Sequence, residues 1–139
     1  MAEGIVLDTG PLVAFLDAAD EHHAWAAGEF SRFEGKVRVC EAVLTEALYL
    51  LRALRRAQEK ILEWVKRGEL TCDFVLPQEA QAVRALWGRY KNVPISLADA
   101  CVVRMAEMHP QSVICTVDSD FSIYRKEGRH PLKLRTPRG

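Results

Sequence analysis

No stretch of the sequence stays apolar for the ~18–20 residues that a membrane-crossing helix needs. The opening Met1-Ala2-Glu3-Gly4 runs straight into a strand-like segment and lacks the layout of a secretion signal. Cysteine is scarce: Cys40, Cys72, Cys101 and Cys115 are widely spaced, which excludes zinc-knuckle and thioredoxin-type motifs. With Cys40, Cys101 and Cys115 in apolar surroundings, the expectation is reduced structural thiols in a cytoplasmic protein. Net charge is missing as well, because 19 Lys plus Arg balance 19 Asp plus Glu. That argues against a simple basic module that clings to nucleic acid. There is no Gly-rich phosphate loop after the first strand-like segment and no Gly-Lys-Ser/Thr signature, so a nucleotide-binding α/β protein has no support. Internal repeats and low-complexity segments are absent too.

What remains is a chain of ordinary globular composition, 49% hydrophobic and 27% charged over 139 residues. Residues 1–139 are expected to form one domain that buries a core without disulfides or structural metal. The balanced charge is unevenly spread. Residues 1–34 carry seven acids and one base, whereas residues 122–139 carry six bases and one acid. An acidic centre with a basic periphery suits a metal-using enzyme with an anionic substrate.

Apolar runs and their punctuation predict alternating strands and helices. Gly4-Ile5-Val6-Leu7 reads as a buried strand, broken by Asp8-Thr9-Gly10, with Pro11 in the first turn of a helix. A second helix is expected from about His22 to Phe33, then a strand at Val37–Cys40. Residues 42–56 show the clearest amphipathic pattern, with Val43, Leu44, Ala47, Leu48, Leu50, Leu51 and Leu54 on one arc and Arg55 near its edge. Further helices are expected at 57–67, from Pro77 to about Tyr90, and from Ser96 to Met108. Leu70–Val75 and Val113–Val117 read as strands, and His130–Leu134 as a short edge strand. Strands alternating with helices imply a three-layer α/β/α sandwich around a mainly parallel sheet.

Four acids then stand out. In such a sheet, ligands bind at the carboxyl ends of the strands. Asp8 directly follows the first strand, and Asp118 follows Val113–Val117, so both belong on the same sheet edge. Glu46 sits at the border of the apolar arc of its helix, where an acid needs water, a cation or a donor. Asp99 comes three residues after Ser96. Each also has an ordinary structural use: turn or cap for Asp8 and Asp118, solvent or a basic partner for Glu46, and a capping box for Ser96 with Asp99.

Taken together, the four resemble the pattern of PIN domains, and specifically of VapC-like toxin nucleases. Asp8-Thr9-Gly10-Pro11-Leu12, Thr45-Glu46-Ala47, Ser96-Leu97-Ala98-Asp99-Ala100 and Thr116-Val117-Asp118-Ser119-Asp120-Phe121 are similar to the family's four acidic segments in order and position. The stretch from Asp17 to His23 resembles the family's Asp and His after the first helix. The resemblance runs from Ile5 to Phe121 and implies a metal-dependent endoribonuclease, the toxin of a toxin–antitoxin pair, with Asp8, Glu46, Asp99 and Asp118 as catalytic and metal-binding residues. It also implies Mg²⁺ or Mn²⁺ as cofactor, RNA as substrate, a cognate antitoxin and a homodimer. The main alternative is a non-catalytic PIN fold that binds nucleic acid or acts as a scaffold. An aspartyl phosphatase is disfavoured because Gly10 stands where its second acid is wanted.

The chemistry agrees with the residue types. Phosphodiester hydrolysis needs an activated water and neutralised phosphate charge, and Mg²⁺ or Mn²⁺ on carboxylate oxygens meets both needs. Thr9 and Thr116 are candidates for orienting water or a carboxylate, and Asp120 reads as a turn acid, with substitution for Asp118 as the alternative. Surface or packing roles are expected for His22 and His23, and core or interface roles for Trp25, Trp64 and Trp87. Leu50, Leu54, Leu62 and Trp64 offer an apolar patch for a dimer. Arg52, Arg56, Arg125, Lys126 and Arg129 are the candidate contacts to RNA phosphates.

Overall fold

The computed structural model describes residues 4–126 and 130–138. The order of elements is β1 (Ile5–Leu7), α1 (Thr9–Leu16), α2 (His23–Arg32), β2 (Val37–Arg38), α3 (Glu41–Leu50), α4 (Arg55–Arg67), α5 (Leu76–Arg89), α6 (Leu97–Met108), β3 (Val113–Cys115), β4 (Arg125–Lys126), β5 (His130–Pro131) and β6 (Leu134–Arg135). A 3₁₀ turn spans Ser119–Ser122. The main sheet has the order β2-β1-β3-β6, and every neighbouring pair in it is parallel.

Period-two alternation in the two central strands builds the layers. Ile5, Leu7, Val113 and Cys115 face a core that includes Leu12, Leu44, Leu51, Ile61 and Leu70. Val6 and Ile114 face the opposite core, with Val83, Leu86, Val102, Met105, Phe121 and Tyr124. So α1 and α4 cover one face, α5 and α6 cover the other, and α3 contributes Val43 to one core and Leu44 with Ala47 to the other. The expected three-layer α/β/α sandwich is what the chain forms. Each fully buried Leu or Ile contributes roughly 1.5–3 kcal/mol to holding these layers.

Three expectations need correction. Leu70–Val75 is not a ladder strand: Thr71 makes one parallel bridge to Arg38, after which the chain turns away and Phe74 enters the opposite core. β2 is two residues long and gives it nothing further to pair with. The helix expected over 42–56 ends at Leu50, and α4 begins at Arg55. The leucine pattern runs across that break because Leu44, Leu51 and Ile61 all pack into one core from successive helices. In the tail, the edge strand of the main sheet is Leu134–Arg135, whereas His130–Pro131 pairs antiparallel with Arg125–Lys126 in a separate hairpin.

Candidate active site

The carboxyl ends of β1 and β3 lie side by side, and hydrogen bonds tie the segments leaving them. Asp8 donates its backbone N–H to the Cys115 carbonyl at 3.0 Å. Its carboxylate accepts from the Thr116 hydroxyl at 2.7 Å. Asp8 occupies the N-cap of α1 but makes no side-chain cap bond there; its buried carboxylate takes the Thr116 hydroxyl first and the Thr9 backbone N–H second. The Thr116 oxygen also accepts from the Asp118 N–H at 3.0 Å, which folds the loop after β3 back over the same edge. Asp118 in turn accepts from the Asp120 N–H at 2.8 Å. Gly10 makes this closeness possible. A Cβ there would lie 2.3 Å from Val117 Cγ2, so a glycine lets the first turn of α1 pack against that loop.

Two helices bring the other acids. Glu46 projects from α3 and accepts from the Thr9 hydroxyl at 2.8 Å. Asp99 lies in the first turn of α6, where the full capping box forms: Ser96 Oγ accepts from the Asp99 N–H at 3.0 Å, and Asp99 Oδ2 accepts from the Ser96 N–H at 3.3 Å. The structural uses open to Asp99 and Asp118 are therefore realised, and the same residues still share a field with the other acids.

That field appears in their titration. Burial pushes the Asp8 carboxyl from the ordinary 3.8 up to about 6, the Thr116 hydroxyl pulls it back, and Asp99 and Asp118 add to the rise. Asp99 is raised as well, first by burial and then by Asp118 and Glu46. All four acids are thus electrostatically coupled across one edge. Among the described residues, none of them is ion-paired with Lys, Arg or His. Nor do any three Asp, Glu, His or Cys side chains there stand close enough to form a ready-made ligand set. Carboxylates with no cation between them repel, and separate hydroxyl and amide donors hold all four of these acids in place. Carboxylate oxygens are the donors that a hard divalent cation prefers, and Asp8, Glu46, Asp99 and Asp118 could supply them here.

A family model for the PIN domain matches residues 5–127. The chain belongs to the PIN-domain family. Its fold is similar to that of VapC20 from Mycobacterium tuberculosis, a sarcin-ricin loop cleaving toxin, at 21% identity over 86% of this chain and 93% of that one, with a TM-score of 0.78. It is also similar to a chain of VapBC2 from Rickettsia felis, a complex bound to a promoter DNA fragment, at 14% identity over 96% and 98% with a TM-score of 0.63. A chain of FitAcB from Neisseria gonorrhoeae matches at 20% identity over 83% and 88%, with a TM-score of 0.53. Searched by sequence against curated proteins, the chain has no significant match.

Around the acidic edge of this PIN domain, two residues had escaped notice in the sequence. The Tyr124 ring is fully buried, yet its hydroxyl donates to the Pro94 carbonyl at 3.1 Å and reaches Asp99 Oδ2 at 3.5 Å. Burial and then the charges of Asp99, Asp120 and Asp118 push its phenol further toward the protonated form. The spacing of Phe121 and Tyr124 was the available signal, but the 3₁₀ turn ends at Ser122 and no regular element covers Tyr124. Arg138 donates to the Val117 carbonyl at 2.8 Å, which ties the C-terminal tail to the loop after β3.

Other expectations resolve plainly. His23 packs through a 2.8 Å hydrogen bond to the Ala14 carbonyl. Asp17 and Asp20 accept from the N–H groups of Ala19 and His22, respectively, as turn acids. Trp25 and Trp64 pack against the core, whereas Trp87 is exposed. Arg52 and Arg56 are exposed, with the Arg52 guanidinium 4.2 Å over the Tyr49 ring. Arg125 and Lys126 form β4, and Arg129 lies outside the described residues. No helix of the described residues is long and apolar enough to cross a membrane.

Proposed function

We propose that this PIN domain is a Mg²⁺- or Mn²⁺-dependent endoribonuclease and the toxin of a toxin–antitoxin pair. The observation that carries the reading is the electrostatic coupling of four carboxylates, none of them ion-paired among the described residues, at the carboxyl edge of a parallel sheet. When bound there, the divalent ion supplies an activated water and neutralises charge on the phosphate. Asp8, Glu46, Asp99 and Asp118 would hold it. Thr116 fixes the rotamer of Asp8, Thr9 fixes Glu46, and the capping box fixes Asp99. Tyr124 and the packed loop after β3 shield the base of the site, and basic residues at its margin hold the RNA backbone. The structural similarity to chains of toxin–antitoxin complexes supports a cognate antitoxin. Homodimerisation and a cytoplasmic location complete the proposal.

The test is cleavage of single-stranded or looped RNA by purified protein. EDTA should stop it, and Mg²⁺ or Mn²⁺ should restore it. Asp8→Asn and Asp99→Asn should each lower the rate by at least 10²-fold while leaving circular dichroism unchanged. Full activity in either variant, or in metal-free protein, would remove the assignment. A folded wild-type protein that binds RNA without cutting it under any of these conditions would favour the scaffold alternative.

A further inference from the structure

Two thiols left unused by the proposed chemistry lie against each other. Cys40 is the N-cap of α3, Cys101 is on α6, and both are almost fully buried in the same core. The Cys101 thiol lies within hydrogen-bonding reach of the Cys40 sulfur. Both residues line one cavity of about 250 Å³, together with Glu41, Thr45, Leu76 and Leu97. Leu76 and Leu97 are partly exposed, so the cavity connects the thiols to the surface. All the cysteines are reduced in the structure. The position matters because α3 carries Glu46 and α6 carries Asp99, so the thiol contact lies beneath the two helices that contribute acids to the sheet edge.

We propose that Cys40 and Cys101 form a reversible disulfide that senses peroxide and switches off the acidic site between α3 and α6. The loss of activity rests on the nuclease reading; the bond itself does not. One thiolate attacks a peroxide oxygen, breaking the O–O bond and giving a sulfenic acid while the other oxygen leaves as water. The second thiol then displaces the sulfenic oxygen as water and closes the S–S bond. Two thiols and one hydrogen peroxide thus become one disulfide and two waters. Drawing the sulfurs from non-bonded contact to a bond of about 2.05 Å pulls the first turn of α3 toward α6. A misplacement of about 1 Å among catalytic groups costs on the order of 10²-fold in rate. Disulfides in reducing compartments are characteristically transient and sensing, and the cavity gives peroxide a route to this pair.

The structure contains its own controls. Cys115 is buried in the core on the other face of the sheet, and Cys72 is only half-buried. Wild-type protein treated with hydrogen peroxide should lose two hydrogens by intact mass. Peptide mapping without reductant should join the Cys40 and Cys101 peptides, and dithiothreitol should reverse the change. RNA cleavage should fall at least tenfold on oxidation and recover on reduction, whereas Cys101→Ala and Cys40→Ser should keep their activity under the same peroxide. A mixed Cys40–Cys72 bond, oxidation without any cross-link, or full peroxide resistance of the wild-type thiols would each overturn the proposal. If the disulfide forms but the reduced protein cuts no RNA, the nuclease reading fails and the thiol chemistry stands.

Discussion

Ionised Asp8 is the least comfortable group in the acidic edge, and its discomfort has a sign that can be measured. Its folded pKa lies above the unfolded one, so in the window from the ordinary 3.8 to about 6 the folded state holds the proton more tightly. Stability in metal-free buffer is therefore favoured below that window and falls as pH rises through it, by about 3 kcal/mol in all. Asp8→Asn removes the charge while keeping the shape and an acceptor for Thr116. The variant should be inactive yet more stable than wild type by about 1–3 kcal/mol at pH 8 in EDTA, with the difference vanishing near pH 4. Divalent metal should narrow the gap by stabilising the wild type alone. Urea melts at the two pH values, with and without Mn²⁺, check this, and a wild type more stable than Asp8→Asn in EDTA at pH 8 would contradict the electrostatic account.

Among the elements, the site depends on how closely the first turn of α1 approaches the loop after β3, and Gly10 sets that approach. Gly10→Ala places a Cβ 2.3 Å from a Val117 methyl, so either the loop or the helix must move. Overpacking of this kind costs about 1–3 kcal/mol. RNA cleavage should drop as Asp118 and Asp8 separate, and Val117→Ala in the same chain should restore most of both stability and rate. Failure of that rescue would mean that Gly10 serves the helix alone. This is also the scale at which sequence reading succeeds or fails. β1 and β3 were legible because short apolar runs end abruptly in Asp8 and in Thr116-Val117-Asp118, and a parallel sheet then places those ends together. The Ser96–Asp99 capping box was legible from its three-residue spacing. The break between α3 and α4 was not, because no glycine or proline marks residues 51–54 and the leucines keep their period while changing helices. Leu70–Val75 looked like a strand because its residues favour one, but pairing needs a partner of matching length and β2 supplies two residues. Tyr124 was hidden because its ring serves the core and only its hydroxyl serves the site.

At the scale of the whole molecule, apolar surface and charge remain for partners. Leu50 is 57% exposed, Leu54 40% and Leu62 57%, along α3, the turn after it and α4. Trp64, expected in the same patch, instead packs against the core. If this surface joins two copies, Leu50→Arg with Leu54→Arg should convert a dimer to a monomer by light scattering without changing the circular dichroism. A wild type that stays monomeric at high concentration would assign the patch elsewhere. The acidic edge itself is the central claim. A crystal of the wild-type protein soaked in Mn²⁺ and measured for anomalous scattering tests it most directly. The account predicts a peak at the acidic edge, where Asp8, Glu46, Asp99 and Asp118 would hold the ion directly or through water, and no such peak in Asp8→Asn. Manganese bound elsewhere, or an empty acidic edge at a concentration of Mn²⁺ that supports RNA cleavage, would contradict it.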